Sequence, residues 1–210
     1  MSNGGGLTLR EQLGVAAEPD FEIDLPRGWE RRDVGDDDRA ALEAALRKKF
    51  LSVQRPDLYA AVHSLVDGSY AAMMSAGAVA YYAATTGDEN TLWIPGSIIV
   101  STRTATPEVT LDQMVSHAIR EFEAEPLFGD KRFIRFERDE IVTAGASSIG
   151  LTTVEYLTPI PTTQRRRALQ FTATVARPAE VGADDEQVVA SKKLYDACIS
   201  TLRWVAAGAR

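Results

Sequence analysis

The sequence predicts an α+β fold, a mainly antiparallel β-sheet packed against helices. Three observations predict it. Several segments alternate apolar and polar residues with the period of two that half-buried strands require. Four other segments repeat their apolar residues at helical spacing. The later strand segments are joined by connections too short for a helical crossover, which leaves antiparallel pairing.

The elements follow in order. Residues 1–19, glycine-rich at the start and without periodicity, read as an arm, and 20–206 as one α+β domain. Leu7, Leu9, Leu13 and Val15 give the arm some apolar character. Phe21 to Leu25 alternates apolar and acidic residues and predicts a strand that Pro26 ends, with a turn at Gly28-Trp29. Asp36, Asp37 and Asp38 suit the positive end of a helix dipole. Leu42, Leu46, Phe50 and Val53 continue that helix. Pro56 separates it from a second, which carries Leu58, Val62, Leu65, Val66, Tyr70 and Met73 and is capped by Gly77.

Strands are predicted over Ala78 to Ala84 and over Thr91 to Arg103, with a turn at Thr86 to Asn90 between them. Pro95-Gly96 marks a bulge or an edge, because proline cannot donate to a ladder. Thr110 and Gln113 have capping-box spacing before a third helix with the stripe Leu111, Val115, Ala118 and Phe122. Strands follow over Arg132 to Arg138, Ile149 to Thr158 (with a lead-in from Ile141 to Ala144) and Arg166 to Val175. In the last of these Leu169, Phe171, Ala173 and Val175 face one way and Gln170, Thr172 and Thr174 the other. A final helix is predicted from Asp184 or Asp185 to about Trp204.

Composition narrows the function classes. The chain has 210 residues, 45% of them hydrophobic, and is long enough to bury a substantial core. Lysine plus arginine number 23 against 30 acidic residues, a net charge of −7. That sign disfavours generic binding to nucleic acid or anionic lipid. One cysteine, Cys198, excludes an internal disulfide and a cysteine-rich zinc site. The absence of a signal-like start or a long apolar run predicts a cytoplasmic protein.

FEIDLPRGW, from Phe21 to Trp29, resembles the opening strand of the PsbP-like superfamily, and ALQFTATV followed by the last helix resembles its close. That superfamily includes photosystem II extrinsic proteins, a Ran-binding nuclear import factor and actinobacterial lipoproteins of the LpqN type. The resemblance spans roughly Asp20 to Trp204 and implies a non-catalytic accessory or protein-binding role. The helical pair from Asp36 to Ala76 and the lack of an export signal depart from the pattern.

No catalytic signature stands out. His63 and His117 lie in no zinc-binding spacing. GASSIG, at Gly145 to Gly150, lacks the spacing of a nucleophile elbow. Cys198, in mid-helix, reads as a small core residue. Asp36 to Asp38 are too closely spaced for a calcium loop. No cofactor or metal site is predicted. The leading expectation is a cytosolic protein-binding module with Arg165, Arg166, Arg167, Tyr82 and Trp93 at its partner surface. Tyr81 and Phe133 are further strand aromatics. The alternative is a small-molecule-binding protein or enzyme that uses a sheet-face pocket with Arg103, Arg135 and Glu155 as polar groups. Self-association as a homodimer through a strand edge is the third reading.

Overall fold

In the computed structural model, which describes residues 18–52, 56–84, 89, 91–144 and 147–207, the α+β expectation is met. Most of the arm, the 86–90 turn (apart from 89), Val53 and Gly145 lie outside those residues, as do the side chains of Leu46, Phe50, Leu58, Val62 and Leu65. The elements are β1 (Asp20–Glu22), β2 (Trp29–Asp33), α1 (Asp36–Ser52), α2 (Pro56–Ser75), β3 (Ala78–Ala84), β4 (Gly96–Thr104) and α3 (Leu111–Phe122). There follow β5 (Glu125–Leu127), β6 (Asp130–Ala144), β7 (Ser147–Pro159), β8 (Arg167–Pro178), α4 (Glu186–Ser200) and β9 (Arg203–Val205). No helix among the described residues is long and apolar enough to cross a membrane.

The main sheet has seven strands in the order β2-β3-β4-β8-β7-β6-β5, and every pairing is antiparallel. One face is the core. Tyr82, Ile98, Val100, Phe171, Val154 and Tyr156 are each at most 2% exposed and pack with Tyr195, Ile199 and Leu202 at the C-terminal end of the chain. Trp29 meets Tyr195 edge-on at 6.2 Å, and Phe21 meets Phe171 at 5.7 Å. Tyr195 comes close enough for its hydroxyl to donate to the Thr174 carbonyl at 3.0 Å. Gly96 makes that approach possible: a Cβ there would overlap the Thr174 carbonyl oxygen and the Tyr195 hydroxyl. The opposite face carries α3, whose Phe122 stacks on Phe136 at 5.2 Å, and the α1–α2 pair, whose Tyr70 meets Tyr81 at 6.1 Å.

Local signals act as predicted at several ends. Thr110 and Gln113 form a reciprocal capping box, Asp185 caps α4, and Gly77 takes the left-handed conformation after α2. Other boundaries differ. The first strand is only Asp20–Glu22, and it pairs with β9 outside the main sheet, Phe21 opposite Trp204. The last helix therefore stops at Ser200 rather than near Trp204, because residues 203–205 complete that ribbon. Trp29 opens a strand rather than sitting in the turn; Gly28 supplies the turn with φ +81°. The strand predicted from Thr91 starts only at Gly96, since Pro95 has no amide hydrogen to donate. Pro126, expected to end α3, lies in β5; the helix stops at Phe122, with Glu123 left-handed.

Two substitutions test this packing. Trp29→Ala removes an indole that is 5% exposed and whose Nε1 donates to the Leu92 carbonyl at 2.8 Å. Its expected cost is about 3–5 kcal/mol in denaturant unfolding. Gly96→Ala is expected to cost at least about 1–3 kcal/mol by forcing Tyr195 off the sheet; wild-type stability in either variant would contradict the packing described.

Candidate functional site

Strand alternation decides which side chains reach the face opposite the core. On β3 and β4, Tyr82, Ile98 and Val100 go to the core, so Tyr81, Ile99, Ser101 and Arg103 go to the other side. Register carries this across the sheet: Tyr81 is opposite Ile99, Ile99 opposite Thr172, and Ser101 opposite Gln170. Above this floor run α1 and α2, presenting Leu42, Val66, Tyr70 and Met73. Between floor and roof lies a trough of about 620 Å³, within the usual range for small-molecule sites. Its walls are mostly aliphatic and aromatic. The Tyr70 and Tyr81 hydroxyls pair at 3.1 Å across it. Burial, reinforced by that hydrogen bond, pushes the Tyr70 phenol above its ordinary pKa, so it stays neutral.

Arg103 is the one charged side chain among the described residues that line the trough. Its Nε donates to Gln170 Oε1 at 2.6 Å. Gln170 in turn donates through Nε2 to Glu155, and Glu155 also accepts from Arg138. Glu155 is 3% exposed, an acid that would be costly to bury without such partners. The row Arg103, Gln170, Glu155, Arg138 thus crosses three neighbouring strand pairings on one face.

The structure separates the polar groups proposed for a sheet-face pocket. Arg103 and Glu155 share this face, linked through Gln170. Arg135 lies opposite Tyr156 and so belongs to the core face, beneath α4. There it donates to Asp196 at 2.7 Å and to Glu137 at 2.6 Å, while Lys192 also reaches Glu137 at 2.9 Å. Tyr156 donates to Asp196 at 2.7 Å. These charges balance one another and pin α4 to β6 and β7.

The residues expected at a partner surface scatter. Tyr82 is 2% exposed and sits in the core, where burial pushes its phenol up to about 12, so it is not at a surface as expected. Phe133 is likewise core at 1% exposure. Trp93 is 65% exposed in the loop before β4, beside a second depression of about 710 Å³ against α4. The charged groups there are already committed: Arg177 to Asp139 at 2.5 Å, and Asp185 to capping α4. Of the basic cluster at the β7–β8 turn, Arg165 pairs with Asp112 at 2.6 Å and Arg167 with Glu18, while Arg166 reaches Gln164 at 3.1 Å.

The remaining candidates have structural roles. Cys198 is 5% exposed, and burial pushes its thiol up to about 11, away from thiolate chemistry. His117 is exposed and meets the Phe122 ring. His63 lies between two carboxylates, Nε2 toward Glu43 at 3.6 Å and Nδ1 toward Asp67 at 3.2 Å. Glu43, His63 and Asp67 form a group with metal-ligand atom types. Arg39 also engages both carboxylates, at 2.9 Å and 2.5 Å. The group is an ion-pair network joining α1 to α2.

No protein-family model matches the chain. No curated protein matches it. Among solved structures, a crystal structure from Bacteroides thetaiotaomicron is similar over 90% of this chain, with 11% identity and a TM-score of 0.43. This chain corresponds to 46% of that protein's length.

The α4 network makes a pH prediction. Burial opposes ionisation of Glu137, but hydrogen bonds from Lys192 and Arg135 outweigh it and hold its pKa below the ordinary 4.5. A carboxyl depressed on folding contributes stability above its unfolded pKa and loses it as pH falls. Glu137→Gln is expected to cost about 1 kcal/mol near neutral pH, and its difference from wild type should shrink from about pH 6 to about pH 3. A constant difference across that range, measured by denaturant unfolding, would contradict the assignment.

Proposed function

We propose that this protein is a small-molecule-binding module whose site is the trough between the α1–α2 pair and β3–β4. The supporting observation is a cavity of about 620 Å³ with an aromatic and aliphatic lining, roofed by helices and floored by the sheet face that the core does not use. Apolar surface left unfilled between two packed layers forfeits burial and dispersion energy, which a ligand of matching shape would supply. This is the alternative among the sequence-based readings. The protein-binding reading rested on the lack of a catalytic signature and on the PsbP-like resemblance; of the surface residues it named, Tyr82 is buried and Arg165 and Arg167 already hold acidic partners.

On this reading the trough acts by binding. Among the described residues lining the trough there is no histidine, cysteine or carboxylate to act as nucleophile or general base. Leu42, Val66 and Met73 would take up apolar surface, and the Tyr70–Tyr81 hydroxyl pair offers one hydrogen-bonding point along it.

A neutral apolar dye tests this reading. Nile red is expected to bind the full chain with enhanced, blue-shifted fluorescence. Ala83→Trp places an indole inside the trough and is expected to weaken that binding at least tenfold in a protein that still unfolds cooperatively. Undiminished dye binding by the folded variant would contradict the site.

A further inference from the structure

We infer that the trough selects an amphiphile with an anionic head, such as a medium-chain carboxylate, and that Arg103 is the residue that receives the head. The inference rests on the trough being the binding site, and extends it to the class of ligand.

Three observations carry it. The first is charge. Arg103 is the trough's one charged liner among the described residues, and no carboxylate among them lies within ion-pair distance of it. The acid nearest along the polar row, Glu155, already has its own cation in Arg138. The row Arg103, Gln170, Glu155, Arg138 holds two positive charges and one negative, a local surplus of one positive charge on a chain of net charge −7.

The second observation is geometry. A guanidinium presents two edges to a bidentate partner, one through Nε and one Nη, the other through both Nη atoms. Gln170 holds the Nε at 2.6 Å and is itself held by Glu155. The side-on edge is therefore used to orient the group, and the end-on edge has no acceptor among the described residues. Two parallel N–H donors match the two oxygens of a carboxylate. Gln170 is the positioning residue here: it supplies a neutral acceptor where a glutamate would have cancelled the charge.

The third observation is placement. Arg103 lies toward the end of β4, next to Thr102, whose amide donates to the Gly77 carbonyl at 3.1 Å where α2 turns into β3. Tyr81, Ile99 and Met73 line the rest of the trough. One end is cationic and the remainder mostly aliphatic and aromatic, with scattered hydroxyls from Ser97, Ser101, Thr172 and the Tyr70–Tyr81 pair, a polarity that suits an amphiphile with a charged head and a hydrocarbon tail.

The test compares decanoate and decyl phosphate, both below their micelle-forming concentrations, with decanol below its solubility limit, by calorimetry on the full chain. Wild type is expected to bind decanoate at least tenfold more tightly than decanol. Decyl phosphate tests the head: binding as tight as decanoate's widens the class to oxyanions in general, and weaker binding keeps it to carboxylates. Arg103→Met is expected to reduce the decanoate-to-decanol ratio to about one. Arg166→Met, outside the trough, should keep the wild-type ratio. Equal binding of decanoate and decanol by wild type overturns the inference, and this arm needs no variant to fold. A ratio that survives in a folded Arg103→Met protein overturns it as well. Failure of wild type to bind Nile red, decanol and decanoate alike would instead remove the trough itself as the site, which separates the two claims.

Discussion

The period-two alternation of β3, β4 and β8 constrains everything else in this molecule. Each apolar side chain committed to the core beneath α4 is followed by one that must emerge on the other face. Ile98 and Val100 are at most 1% exposed, so Ile99, Ser101 and Arg103 have no choice of side. The two faces are then closed differently. The core face is sealed tightly: Gly96 lets Tyr195 reach the backbone, and Trp29 and Phe21 close its edges. The other face is covered by α3 at one end and the α1–α2 pair at the other, and the trough lies where the helical pair crosses β3 and β4.

Charge is distributed along the same division. Beneath α4, Arg135, Glu137, Lys192 and Asp196 neutralise one another pair by pair, and Tyr156 donates to the same Asp196 Oδ1 that Arg135 engages. Buried ion pairs of this kind offset their desolvation only when geometry and hydrogen bonding are nearly complete, as here. The trough face is built on a different rule. Its buried acid, Glu155, is fully engaged by Arg138 and Gln170, and Arg103 keeps only a neutral partner. A structural network would be expected to end on a matched charge; this one ends on a cation facing an apolar cavity.

Much of this architecture was legible in the chain, and the gaps have physical causes. The caps at Thr110 with Gln113 and at Gly77 read correctly because they are local, each acting within one turn of itself, and the start of the last helix, placed near Asp184 or Asp185, falls at the Asp185 cap. The two faces of β8 were legible from alternation alone, with Gln170 and Thr172 assigned opposite Phe171. The β1–β9 ribbon was not, since it joins residues about 180 positions apart, and three-residue strands carry too little pattern to announce a partner. The segment that carried the PsbP-like resemblance is split by it, Phe21 in the ribbon and Trp29 in the main sheet. For the site, Arg103, Glu155 and Tyr81 were nameable as polar or aromatic strand residues. Placing Arg135 on the wrong face came from register, which is set by the β6–β7 pairing and not by either strand's own sequence. Tyr70 was read as a core helix residue, which it also is at 5% exposure; its role in roofing a cavity needs the sheet beneath it.

The most direct measurement is backbone-amide chemical-shift mapping by NMR as decanoate is titrated into the full chain. The account predicts saturable shifts concentrated at Tyr70, Met73, Tyr81, Ile99, Arg103 and Thr172, with α4 and the Trp93 loop unmoved. Shifts centred on Trp93, Val188 and Leu194, or scattered without saturation, would contradict it.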